Sequence, residues 1–150
     1  MSLKTQIDND IKQAMLARDK EKLEALRGIK SMILLAETDK SNNGVITPEI
    51  ENKMLMKAAK QRKESADIFQ KENRSDLAQR ELLQLEVISQ YLPKQLSEEE
   101  VKAEVVKIID QVGAKGPQDL GKVMGTASKA LAGKADGKMI SDLVKKLLVP

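Results

Sequence analysis

Between Lys53 and Lys63 four lysines follow one another with no acid among them. At about 100° per residue, Lys53, Lys57 and Lys60 share one stripe of a helix, with Lys63 beside it. Such a ridge can neutralise successive phosphates of a nucleic acid. It can equally be a solvated face, supported by a Lys60–Glu64 contact one turn on. A second basic region runs from residue 115 to the C-terminus and carries Lys122, Lys129, Lys134 and Lys138 in a local excess of +4. Lys122 and Lys129 are seven apart and so share a helix face, which Gly121 and Gly125 border. A glycine inside a helix costs about 1 kcal/mol against alanine, so two of them four apart imply close approach to the backbone. The approaching group is either an RNA phosphate or a neighbouring helix.

Other reactive types are scarce. The chain has no histidine and no cysteine. Imidazole bases, thiolate nucleophiles, disulfides and Cys- or His-built metal sites are therefore excluded. Ser65 lies near Lys60, Arg62 and Lys63, but no glycine- and serine-rich loop presents it to an oxyanion hole. Glu81 falls in the middle of the stripe Leu77, Leu85, Ile88 and Leu92. It is either an isolated catalytic carboxylate or the partner of Arg62 across a helical hairpin, and an unpaired charge in a core is costly. The segment Gly133-Lys134-Ala135-Asp136-Gly137 is too short for a phosphate-gripping loop and reads as a turn. Catalytic residues, metal ligands and cofactors are all read as none.

The elements that must position these residues are helical throughout. The 150 residues are 41% hydrophobic and 33% charged, with apolar positions at period 3.6 and no sustained alternation. Stripes run through Leu3, Ile7, Ile11, Ala14 and Met15, then through Leu23, Leu26, Ile29, Ile33 and Leu34. Thr47 and Pro48 open a long helix to about Lys71, and Asn73 and Ser75 compete to cap a fourth reaching about Leu92. Pro93 ends it. Ser97 and Glu100 form a capping box for a helix stopped by Gly113. A sixth helix begins at Gly116-Pro117 and a seventh at Asp136. The expected architecture is all-α: a four-helix bundle-like subdomain over 1–92, a hinge at 93–97 and a three-helix subdomain over 98–150. The longest apolar run, Met32 to Ala36, is far short of the roughly 20 residues of a membrane span. The N-terminal residues lack an apolar signal region, so the expected location is cytoplasmic.

Several segments together resemble the YqeY family. They are Lys60-Gln61-Arg62-Lys63-Glu64-Ser65, Arg74-Ser75-Asp76-Leu77-Ala78 with Glu81, and Tyr91-Leu92-Pro93-Lys94-Gln95-Leu96-Ser97. Asp119-Leu120-Gly121-Lys122-Val123-Met124 and Gly133-Lys134-Ala135-Asp136-Gly137-Lys138 extend the likeness, as does Ala17-Arg18-Asp19-Lys20 with Leu26-Arg27. Gln84 and Leu85 stand where the family commonly has more acid. The resemblance implies a module like the C-terminal tail of the B subunit (GatB) of the tRNA-dependent amidotransferase, also appended to some glutaminyl-tRNA synthetases. There it grips the folded tRNA body without doing chemistry. The family's association with carbon–nitrogen ligase activity, glutamine as amido-N-donor, belongs to the catalytic part that this chain lacks. The expected role is a free-standing tRNA-binding accessory domain that reads shape and phosphates. Docking on amidotransferase or aminoacyl-tRNA synthetase subunits, or a helical adaptor without an RNA role, are the alternatives. One tyrosine and one phenylalanine are too few for a single-strand stacking platform.

Overall fold

A computed structural model describes residues 2–149, and among them the chain is all-helical. Seven α-helices follow in order: α1 Leu3–Leu16, α2 Lys20–Thr38, α3 Pro48–Lys71, α4 Ser75–Ser89, α5 Glu98–Val112, α6 Leu120–Ala130 and α7 Gly137–Leu148. Short 3-10 turns at Lys40–Asn42 and Pro117–Asp119 complete the order. The chain divides into two compact units between Leu92 and Pro93.

In the first unit α1 pairs with α2, α3 with α4, and α2 also packs on α4. Its core holds Leu3, Ile7, Leu26, Ile29, Ile33, Leu55, Ala58 and Ile88. Only the first half of α3 contributes to that cluster. Beyond Ala58 the α3–α4 hairpin is closed by the small buried residues Ala66 and Ala78. Polar contacts between distant segments add to this packing. Lys4 bonds Glu37 at 2.9 Å, Lys30 meets Asp8 at 2.6 Å, and the Tyr91 hydroxyl donates to Asp10.

Caps explain where the helices stop. Asp19, Thr47, Ser97 and Asp136 accept from backbone N–H groups at their helix starts, and Ser97 with Glu100 completes the capping box. Two α-helices end on left-handed residues other than glycine, Arg18 (φ 56°) and Asn73 (φ 58°), as the first 3-10 turn does on Asn43 (φ 50°). At the second of the two helix ends, Arg74 N–H reaches Phe69 O at 2.8 Å and Asn73 N–H reaches Gln70 O at 3.2 Å, closing a Schellman motif. Asn73 therefore ends α3 and cannot cap α4. Arg74 occupies that N-cap position without a side-chain cap bond, and Ser75 becomes the first helical residue.

Other expected positions shift for similar local reasons. Met15 and Leu34 belong to apolar stripes in the sequence, yet they are exposed, at 55% and 44%. Each falls on the rim of its stripe, about 100° from the inward Ala14 and Ile33 that precede them. Helix α4 ends at Ser89 rather than about Leu92, because Tyr91 and Leu92 N–H groups bond three residues back and Pro93 disfavours helix at Leu92. Gly116-Pro117 opens a 3-10 turn, and α6 proper begins at Leu120.

The second unit is a three-helix arrangement in which α5, α6 and α7 pack pairwise. Val101, Val105, Val123, Ala127, Leu131, Ile140 and Val144 fill its core. Gly113, left-handed at φ 68°, ends α5 as the sequence implies.

Candidate nucleic-acid interface

All eight candidate lysines lie on the surface, and they fall in two places. Lys53, Lys57 and Lys60 line the side of α3 opposite the face that buries Leu55, Ala58 and Ala66, with the exposed Lys63 at their flank. Lys122 and Lys129 stand on α6, Lys134 in the turn before α7, and Lys138 in the first turn of α7. The first four belong to one unit and the second four to the other.

Arg62 and Glu81 meet across the hairpin. The Arg62 guanidinium donates to Glu81 Oε2 at 3.0 Å, and the Glu81 side chain is only 16% exposed. Arg62 retains 40% exposure, so the arginine bridges from water to a largely buried carboxylate. This accounts for a charged residue inside an apolar stripe, and it makes Glu81 a structural partner of Arg62 rather than a free base.

Along one exposed strip of α6 the residues are small. Gly121, Gly125 and Ser128 recur at i, i+4 and i+7 and are exposed, and the exposed Ala132 follows in the turn beyond the helix end. A side-chain carbon added at Gly121 or Gly125 would meet no atom within 4 Å beyond its adjoining residues and the backbone of its own helix. The neighbouring-helix explanation for these glycines therefore fails within the unit, since no part of this unit packs against that face. Ser128 is a member that sequence reading missed; the 3.6-residue spacing from Gly121 was the available signal. Lys122 and Lys129 flank the stripe on one side.

Lys122 has a second attachment. Its Nζ donates to Val112 O at 3.2 Å, at the C-terminus of α5. A cation there complements the helix dipole and satisfies a terminal carbonyl. Lys122 is thus partly structural, while among the described residues Lys129, Lys134 and Lys138 show no such side-chain bond to a helix end. On the acidic side, Asp119 accepts from Lys115 N–H at 2.9 Å and fixes the loop entering α6.

The grooves on the chain do not converge on chemistry. One of about 380 Å³ lies between α2 and α4, lined by Lys20, Glu21, Glu24, Asp76, Gln79 and Arg80, with Arg80 bridging both Glu24 oxygens at 2.8 and 2.9 Å. Among the described residues, no cluster of three or more Asp or Glu is arranged to hold a metal ion. Titration is shifted at structural contacts instead. The hydrogen bond from Lys30 holds Asp8 below the usual carboxylate range, Ser41 does the same for Asp39, and Arg74 for Asp76. Burial, aided by the bond to Asp10, pushes the Tyr91 phenol well above its ordinary value.

Comparison with known proteins gives a consistent likeness. The family model described as "Yqey-like protein" matches residues 4–148. The protein "Altered inheritance of mitochondria protein 41, mitochondrial" of Lachancea thermotolerans is 32% identical over 113 residues, covering 74% of this chain and 60% of that protein. Its namesake in Kluyveromyces lactis is 32% identical over 142 residues, or 93% of this chain and 72% of the relative. The E subunit of the glutamyl-tRNA(Gln) amidotransferase of Thermococcus gammatolerans is 42% identical over 55 residues, 34% of this chain and 9% of that protein. The chain spans about three fifths of the length of the first curated relatives it matches. No described helix is long and apolar enough to cross a membrane.

Proposed function

The chain belongs to the YqeY family, and from that membership we propose that it is a tRNA-binding accessory domain that contacts the folded RNA through phosphates and shape. The observation that carries this reading is the outer face of α6. Three small residues expose the helix backbone there, nothing in its unit covers it, and lysines stand along its edge and on into α7. A smooth surface edged by cations suits a sugar-phosphate backbone, whose recognition needs close approach and charge rather than stacking rings. The ridge on α3 is a second basic surface of the same reading. The likeness to one subunit of a tRNA amidotransferase supports RNA as the polyanion.

Docking on an amidotransferase is the second reading, favoured by that same likeness to part of a larger enzyme. It predicts co-purification with amidotransferase subunits and no RNA affinity of its own. A cytoplasmic setting is proposed with the RNA role, although the first relatives are named mitochondrial. Amide transfer is not assigned to this chain.

Binding of unfractionated tRNA by the whole chain tests the proposal. Replacing Lys129, Lys134 and Lys138 together by Glu should abolish binding at physiological salt while leaving the helical fold intact. Undiminished affinity in that variant would remove this face from the interface.

A further inference from the structure

The segment that enters the second unit is tied down on arrival. The Gln95 side-chain amide donates both hydrogens, one to Pro93 O at 2.9 Å and one to Gly133 O at 2.6 Å. One residue later, Leu96 N–H donates to Lys134 O at 2.9 Å. Leu96 packs on the apolar core of the unit, and Gly133 is buried in a left-handed conformation at φ 76°. Residues 93–96 are therefore a strap laid across the turn that carries Lys134. Lys94 sits on that strap.

Three main-chain and amide contacts thus place two lysines forty residues apart in sequence onto adjoining backbone. Both are exposed. Neither makes an ion pair among the described contacts, and the turn beneath them is rigidly specified: Lys134 N–H bonds Leu131 O at 3.0 Å. Long flexible ammonium groups on neighbouring fixed backbones can converge on one anion, which takes a charge-assisted hydrogen bond from each and offsets their mutual repulsion. We propose that Lys94 and Lys134 form a pair that grips a single backbone phosphate of RNA, with Gln95 as its positioning residue. This rests on the tRNA-binding reading above and extends its surface to a lysine outside the +4 region.

The geometry also fixes what Gln95 cannot be replaced by. Glutamate has the same shape but would turn an acceptor oxygen toward two carbonyl oxygens, so it cannot hold the strap. Alanine simply releases it.

The test measures unfractionated tRNA binding across a salt series for the whole chain, Lys94→Ala, Lys134→Ala, the double variant and Gln95→Ala. Circular dichroism checks the fold, and amide exchange is followed at Leu96. If the two lysines share one phosphate, the double variant should flatten the slope of log affinity against log salt by about 0.7–0.9, the value for one phosphate and not two. Gln95→Ala should speed exchange at Leu96 by about tenfold, as loss of a hydrogen bond allows, and lower the affinity as far as Lys94→Ala does, while Lys134 keeps the slope. Unchanged affinity and slope in Lys94→Ala would overturn the proposal. So would faster exchange in Gln95→Ala without any loss of affinity. Failure of the unaltered chain to bind tRNA would instead overturn the function on which the pair depends.

Discussion

At single residues, the unequal burial of the two ends of an ion pair predicts unequal costs. Arg62→Ala leaves the largely buried Glu81 carboxylate without a partner and should destabilise the first unit by about 2 kcal/mol. Glu81→Ala leaves a guanidinium that already reaches water, and should cost about 1 kcal/mol or less. Urea unfolding of both variants checks the order; equal losses would mean that the pair is not asymmetric. Tyr91 gives a pH-dependent counterpart. Its phenol is held above the ordinary value by burial and by Asp10, so its contribution is complete below the unfolded value and is lost as pH rises through the folded one. Tyr91→Phe should therefore cost about 1 kcal/mol at neutral pH, and the gap to the unaltered protein should narrow above about pH 10. At Arg18, a left-handed residue with a side chain, glycine should stabilise by about 0.5–1 kcal/mol in the same assay.

At the scale of helices, glycines in open positions separate stability from function. Gly28 in α2 and Gly125 in α6 both have room for a methyl group and neither has positive φ. Alanine at either should raise stability by about 0.5–1 kcal/mol through higher helix propensity. Only Gly125→Ala should weaken tRNA binding, because only that glycine lies on the proposed contact face. Equal affinity in the two variants would show that the exposed backbone of α6 has no part in binding. Most helices are legible in the residues alone, since their stripes and caps are local: the capping box at Ser97 and the stop at Gly113 need no information from elsewhere. Asn73 is not, because a residue suited to either a cap or a left-handed turn is decided by where the packed α3–α4 hairpin makes its bend. The strap of Gln95 on Gly133 is equally hidden. Its bond joins positions thirty-eight apart and leaves no periodic trace. Likewise, counting residues places the lysines on faces, but the bond that ties Lys122 to the end of α5 depends on how α5 and α6 pack.

Across the whole molecule, two buried clusters with no residue in common lie on either side of the Leu92–Pro93 boundary in the chain. Leu26→Ala should cost about 2–5 kcal/mol, with the loss of amide protection confined to residues 1–92. Matching losses in α5 to α7 would show that the units unfold together. The charge follows a similar division, with one basic surface on α3 and another over α6, the turn at Lys134 and the start of α7. A net charge of only +3 understates both, since the acids lie mainly elsewhere. Scarce aromatic residues exclude a stacking platform for single strands but leave recognition of a folded RNA by phosphate and shape. The central claim is tested most directly by the affinity of the whole chain for tRNA as a function of salt. Each phosphate neutralised contributes about −0.7 to −0.9 to the slope of log affinity against log salt, so four contacts predict about −3. No detectable binding at low salt, or a slope near zero, would contradict it.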